Sequence, residues 1–317
     1  MLIISESRYE EVMKTRVEPF LRKFREEFFF EGENGARLYC EIFRNPDAKA
    51  AIVISHGFCE SCVKYSELIY YFLNCGYSVF IPEHRGHGLS YRENDDIKVV
   101  HVNSFSSYVK DLEIFIDKFV KPEGLPIFLY AHSMGGAIGA LYMENNPGVI
   151  KRAVLSSPMI APKRGFLTLG SAKAAAGFMK YRGKGKSALF ISDNFKKVSP
   201  PAPRSASSRA RADYYIKKRQ GSDYLKTSSP SYGWSYEALG VTEKILDPKK
   251  LERIDAEVLL LSAGNDRWVL SRPQEEFING IKHGKLISFP NARHELYREC
   301  NETLKKYMSL IMSFYNR

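Results

Sequence analysis

Residues 127–142 read IFLYAHSMGGAIGALY. The apolar run from Ile127 to Ala131 has the length and composition of a buried strand, and the glycine-studded run after Ser133 reads as the start of a helix. Between them lies Ala131-His132-Ser133-Met134-Gly135. This has the G-x-S-x-G spacing of a nucleophile elbow, with alanine in place of the first glycine. Small residues are needed because the turn is tight enough to strain the serine backbone, and bulky neighbours would strike the strand or helix beside it. Such a turn sets the Ser133 hydroxyl at the carboxyl end of the strand, near the positive N-terminus of the following helix.

Outward from this stretch the pattern alternates. Residues 37–43, 51–55 (AIVIS), 77–82 (YSVFIP), 153–156 (AVLS), 258–262 (VLLLS) and 286–289 read as strands. Residues 65–74 carry a helical pattern that Gly76 stops, and residues 105–120 carry another with Pro122 beyond its end. Strands alternating with helices predict an α/β fold, a mostly parallel sheet with helices on both faces. The alternation lapses for about a hundred residues between AVLSSP and VLLLS, a length that in a compact domain points to a functional insertion. We place a cap at residues 161–234, dividing the core into residues 1–160 and 235–317. Within the cap, residues 165–179 carry one charge, Lys173. They read as an amphipathic lid helix or, more commonly, a packing helix.

A serine needs a base to become a nucleophile. In elbow chemistry the partners follow in the order serine, acid, histidine. Asp266 stands in the loop after VLLLS and His294 in the loop after residues 286–289, both at the strand ends that carry Ser133. Asp247 and Asp255 are rival acids, but they precede the VLLLS strand and emerge at its other end. Two backbone N–H groups must receive the developing oxyanion. The residue after the nucleophile, Met134, supplies one. The loop SHGFCES supplies the other, assigned to Phe58.

The composition is ordinary for a globular chain, with 44% hydrophobic and 26% charged residues among 317. The charge distribution is not. Of a net +11, residues 161–222 alone contribute +13, from fifteen Lys and Arg against Asp193 and Asp213, and the rest is near neutral. Such an excess suits an anionic membrane surface or a phosphate-bearing substrate, or simply keeps a segment solvated. Nucleic acid is not expected, since no recognition motif accompanies it. Five cysteines, an odd number, read as reduced thiols. Cys59 and Cys62 have C-x-x-C spacing without a second pair to complete a metal site, and His84 and His87 read as turn residues. No metal or cofactor is expected. The N-terminal apolar stretch is too short for a signal peptide, and no run reaches the roughly eighteen residues of a membrane span. The expected setting is cytoplasmic, with peripheral contact at the inner membrane surface through the basic cap left open, as is the oligomeric state.

The ordered set SHG, ESCVKYSEL, EHRGHGLS, HVNSFSSYVKDL, AHSMGGAI, SPSYGW and the Asp266 and His294 loops resembles the α/β-hydrolases of the bacterial lysophospholipase and monoacylglycerol lipase family, from about Phe28 onward. The resemblance is nearer to the lysophospholipase branch. It implies a carboxylic-ester hydrolase acting on a single-chain lipid, with Ser133, Asp266 and His294 catalytic, the Phe58 and Met134 amides as oxyanion hole, and a cap that shapes the acyl pocket. Ala131 and the cap's basicity depart from the family pattern. Other substrates on the same fold (monoacylglycerols, short esters, peptides or an acyl acceptor) stay open, as does a non-catalytic lipid-binding protein. Dehalogenase or epoxide hydrolase chemistry needs an aspartate where Ser133 stands.

Overall fold

A computed structural model describes residues 3–190 and 205–317. The first part of the Pro-Ser-Arg run, with Arg204, and the expected cap charges Lys196 and Lys197 lie outside the described residues.

Two short helices, α1 (Tyr9–Val12) and α2 (Glu18–Phe24), precede the sheet. Its strands are β1 (Arg25–Glu31), β2 (Arg37–Phe43), β3 (Ala51–Ser55) and β4 (Ser78–Pro82), then β6 (Ile127–His132), β7 (Ile150–Ser156), β9 (Glu257–Ala263) and β10 (Gly284–Phe289). Strand β5 (Val99–Val100) pairs separately with β8 (Ser229–Pro230), fastening the loop after β4 to the chain just before residue 232. The helices between them are α3 (Ser66–Asn74), α4 (Ser106–Phe115), α5 (Met134–Asn145), α6 (Leu169–Met179), α7 (Arg209–Gln220), α8 (Tyr232–Ile245), α9 (Pro248–Leu251) and α10 (Ser271–Gly280), and α11 (Asn301–Tyr315) follows β10.

The eight-stranded sheet runs β1-β2-β4-β3-β6-β7-β9-β10. β1 and β2 are antiparallel additions, and from β4 through β10 every pairing is parallel. The strands expected from the sequence are all present, with ends that differ by at most three residues. Strand β1 was not expected. Its segment REEFFFE carries four charges in seven residues, which mask the period-two pattern that buries Phe30 and exposes Phe29.

Alternate strand residues face opposite sides. Val53, Leu129, Ala131, Leu155 and Leu260 join the core beneath α4, α5 and α8. Ile52, Ile54, Phe128, Tyr130, Val154 and Leu261 join a second core with α3, α11 and the N-terminal helices. The strand order reverses where β3 sits between β4 and β6, and loops diverge at such a switch point, opening a crevice at the carboxyl ends.

Two α-helices lie within the described part of residues 161–222. Helix α6, N-capped by the Thr168 side chain, packs on α8, and Ala172 and Ala176 are its buried residues. Helix α7 instead docks on the body: Arg211 is buried in a two-pronged ion pair with Glu67 of α3, and Lys217 and Lys218 reach Glu10 and Glu18. Three of the fifteen basic residues of 161–222 are therefore paired with carboxylates near the N-terminus and on α3. Among the described residues no helix is long and apolar enough to cross a membrane.

Candidate active site

Strand β6 runs through Ser133 directly into α5. Ser133 adopts φ 52° and ψ −119°, a conformation L residues rarely take and one that costs about 1–3 kcal/mol. The neighbouring glycines make it feasible. A Cβ at Gly135 would lie 2.0 Å from the Ser55 carbonyl oxygen, and one at Gly136 2.5 Å from Pro158 Cβ. The alanine at the first elbow position has room because Gly139 faces it from α5, where even a Cβ would come 3.4 Å from the Ala131 methyl.

The Ser133 hydroxyl lies 2.9 Å from His294 Nε2, and His294 Nδ1 lies 2.6 Å from Asp266 Oδ2. All three side chains are largely buried. The other Asp266 oxygen accepts the backbone N–H groups of Trp268 (2.7 Å) and Val269 (3.1 Å). Burial alone would raise the Asp266 carboxyl. The His294 hydrogen bond and charge, with the two amides, outweigh it and hold the group below its ordinary range. An ionised Asp266 accepts from Nδ1–H, which leaves Nε2 as an acceptor for the serine proton.

Loop 55–58 lies against the elbow. The Gly57 N–H is taken by Glu60 Oε2 at 2.7 Å, so Phe58 is the next donor in that loop. Met134, the first residue of α5, has no helical carbonyl four residues back to receive its N–H. The Phe58 ring packs on Trp234 of α8, with ring centres 4.2 Å apart.

Sequence reasoning did not find the buried polar support around this site. Glu60 receives Gly57 N–H, the Tyr65 hydroxyl (2.5 Å), the Tyr297 hydroxyl (2.9 Å) and Lys64 Nζ (2.6 Å). Lys64 continues to Glu295 (2.8 Å), and Glu295 to Arg298 (2.6 Å). Burial opposes ionisation of Glu60 and Glu295, but Lys64 holds Glu60 well below the carboxylate range and, with Arg298, holds Glu295 at about 2. The chain of charges joins the Phe58 loop to the His294 loop. The only sequence signals were the i,i+4 spacing of Glu60 and Lys64 and the position of Glu295 beside His294.

His56, His84 and His87 cluster beneath the same loop, with His56 Nε2 accepting the His84 N–H at 2.9 Å. Burial pushes His56 down to about 4, so it props the loop as a neutral ring. Cys59 and Cys62 are free thiols, and burial pushes Cys59 up to about 12, away from thiolate chemistry. The rivals lie elsewhere: Asp247 caps α9, and Asp255 accepts Gly148 N–H.

A family model described as serine aminopeptidase, S33 (Hydrolase_4) matches residues 46–301. Lysophospholipase L2 of Escherichia coli K12 is 28% identical over 305 residues, covering 92% of this chain and 88% of that protein. Human monoglyceride lipase is 36% identical over 129 residues, 40% of this chain and 41% of that one. In fold, the chain is similar to a soluble variant of the Saccharomyces cerevisiae monoglyceride lipase, with a TM-score of 0.74 at 18% identity over 92% of this chain and 94% of that one. Paleococcus ferrophilus monoacylglycerol lipase gives 0.67 at 24% identity, over 87% and 97%.

Proposed function

The chain belongs to the Hydrolase_4 family of serine hydrolases, and from that premise we propose that it is a carboxylic-ester hydrolase that releases a fatty acid from a single-chain lipid, a lysophospholipid ahead of a monoacylglycerol. The hydrogen-bonded series from Ser133 through His294 to Asp266, at 2.9 and 2.6 Å, carries the assignment. Preference for lysophospholipid is supported by a relative of that name that aligns over 92% of this chain and 88% of its own length.

Ser133 Oγ attacks the ester carbonyl carbon as His294 Nε2 takes the hydroxyl proton. Asp266 keeps the imidazole in the tautomer that can accept it and stabilises the imidazolium. The tetrahedral oxyanion is received by the Phe58 and Met134 N–H groups, each such donor being worth about 10² to 10³ in rate. The C–O bond to the alcohol breaks, and His294 returns the proton to the leaving oxygen. Water, deprotonated by His294, then attacks the acyl-serine to free the fatty acid and restore Ser133.

Residues 161–234 serve as the cap, in which the part around α6 faces the lipid. Phe166, Leu167, Phe178 and Tyr181 are exposed there beside Lys163, Arg164, Lys180 and Arg182, a composition suited to an anionic bilayer surface. Activity on anionic vesicles should then fall steeply with salt. Salt-independent activity would remove the membrane role.

The decisive experiment is fatty-acid release from lysophosphatidylcholine and monoacylglycerol by wild type and Ser133→Ala. Loss of the serine should cost on the order of 10⁶ in turnover. A mutant that stays active refutes the nucleophile. A wild type inactive on both lipids refutes the substrate class and directs attention to short esters and, given the family's description, to amino-acid amides. A serine-reactive phosphonate that failed to label the wild type would favour a non-catalytic lipid-binding protein.

A further inference from the structure

Asp266 and His294 stand on separate loops, after β9 and after β10, and a third piece of chain lies across both. Residues 205–208, which lead into α7, bond to each loop in turn. On the acid side, Ser205 Oγ accepts the indole N–H of Trp268 at 3.1 Å, two residues from Asp266. On the histidine side, the Ser205 carbonyl accepts the Glu295 N–H at 2.7 Å, and the Ala206 carbonyl accepts Arg293 Nη1 at 2.8 Å, the two residues flanking His294. Ser207 then meets the buried carboxylate of Glu299. Its N–H donates to Oε1 at 3.0 Å and its hydroxyl donates to Oε2, while the Arg293 N–H donates to the same Oε1 at 3.1 Å. Ser207 Oγ also accepts the Cys300 N–H at 2.9 Å. The far end is anchored, since Ser208 caps α7 and Arg211 is locked on Glu67.

We infer that residues 205–208 form a staple that sets the spacing of the acid and histidine loops, with Glu299 the positioning residue that holds it. Glu299 touches neither Ser133 nor its partners and acts through the backbone of residue 293 and the staple. Displacing reacting groups by about 1 Å costs on the order of a hundredfold in rate, so partial release of one loop should cost roughly ten- to a hundredfold in kcat. KM should hold, because substrate contacts are untouched. The inference rests on the esterase reading of the site.

The test compares kcat and KM on a soluble p-nitrophenyl ester for the full chain carrying Glu299→Ala, Glu299→Gln or Ser207→Ala. A glutamine can keep the contacts, its carbonyl accepting both N–H groups and its amide donating to a reversed Ser207 hydroxyl. Glu299→Ala should therefore lose kcat at constant KM, Ser207→Ala should lose less, and Glu299→Gln should restore most of it. Fluorine NMR of 5-fluorotryptophan protein supplies an independent readout, because the chain has two tryptophans and a Trp268→Phe control assigns the signals. The Trp268 signal should shift in the alanine variants and return in Glu299→Gln. A shifted Trp268 signal with wild-type kcat overturns the staple's positioning role. A kcat that falls only as far as the folded fraction falls, judged by thermal melts, overturns it equally. Wild type that cleaves no ester and takes no phosphonate label refutes the reading of the site itself, a different failure from either.

Discussion

Asp266→Asn isolates the orientation of the imidazole from the presence of its partner. One Asp266 oxygen is held by two backbone amides, Trp268 at 2.7 Å and Val269 at 3.1 Å, and only the other meets His294 Nδ1. An asparagine has a single acceptor oxygen. The amides are fixed by the loop, so that oxygen must stay with them, and the NH₂ group is turned to Nδ1. The imidazole then answers with the tautomer that carries its proton on Nε2, facing Ser133, where it cannot accept another. Such a tautomer change costs about 10⁴ in kcat, equivalent to about 5.4 kcal/mol at 1.36 kcal/mol per tenfold. KM should change little. Stability should also be nearly kept, whereas Asp266→Ala strands both amides at roughly 1–3 kcal/mol each. Stopped-assay turnover of a soluble ester, paired with urea unfolding of both variants, measures all of these quantities. An asparagine variant within tenfold of wild-type kcat would refute the tautomer argument. An alanine variant as stable as the asparagine one would refute the assignment of the amides.

Gly135→Ala should cost more than about 3 kcal/mol or abolish soluble expression, because the new methyl meets the backbone oxygen of Ser55 and not a movable side chain; an unchanged melting temperature would contradict this. Lys64→Met leaves Glu60 and Glu295 buried without their shared cation, so urea unfolding should show a loss of about 3–5 kcal/mol. Glu144 is fully buried on α5, with both carboxylate oxygens unpartnered among the described residues, and burial pushes it up to about 8 from 4.5. The folded chain therefore holds a proton that the unfolded chain releases, and stability should fall as pH rises from about 4.5 through 8. Glu144→Gln should flatten that dependence, raising the unfolding midpoint at pH 8 and leaving it nearly unchanged at pH 4; equal effects at both would contradict the titration.

The α/β alternation and the order of Ser133, Asp266 and His294 were legible in one dimension. Buried parallel strands must be apolar along their length, and the elbow requires small residues at fixed offsets, so both leave marks in the chain itself. Even the departure at Ala131 was readable as one methyl, although the room for it comes from Gly139, eight residues on, across the helix–strand contact. Strand β1 escaped because an edge strand carries charge on its open face.

What the chain could not disclose by itself was how its charges are spent. The +13 of residues 161–222 looked like one basic surface, yet Arg211, Lys217 and Lys218 are committed to Glu67, Glu10 and Glu18, some 144 to 207 residues distant. The Glu60–Lys64–Glu295–Arg298 series and the contact of residues 205–208 with the loops of Asp266 and His294 were equally hidden. Local propensity and periodicity act over a few residues and are written in sequence order. Ion pairs and hydrogen bonds between distant segments exist only once the sheet has closed, and it is these tertiary contacts that decide how rigidly Asp266 and His294 are held to Ser133.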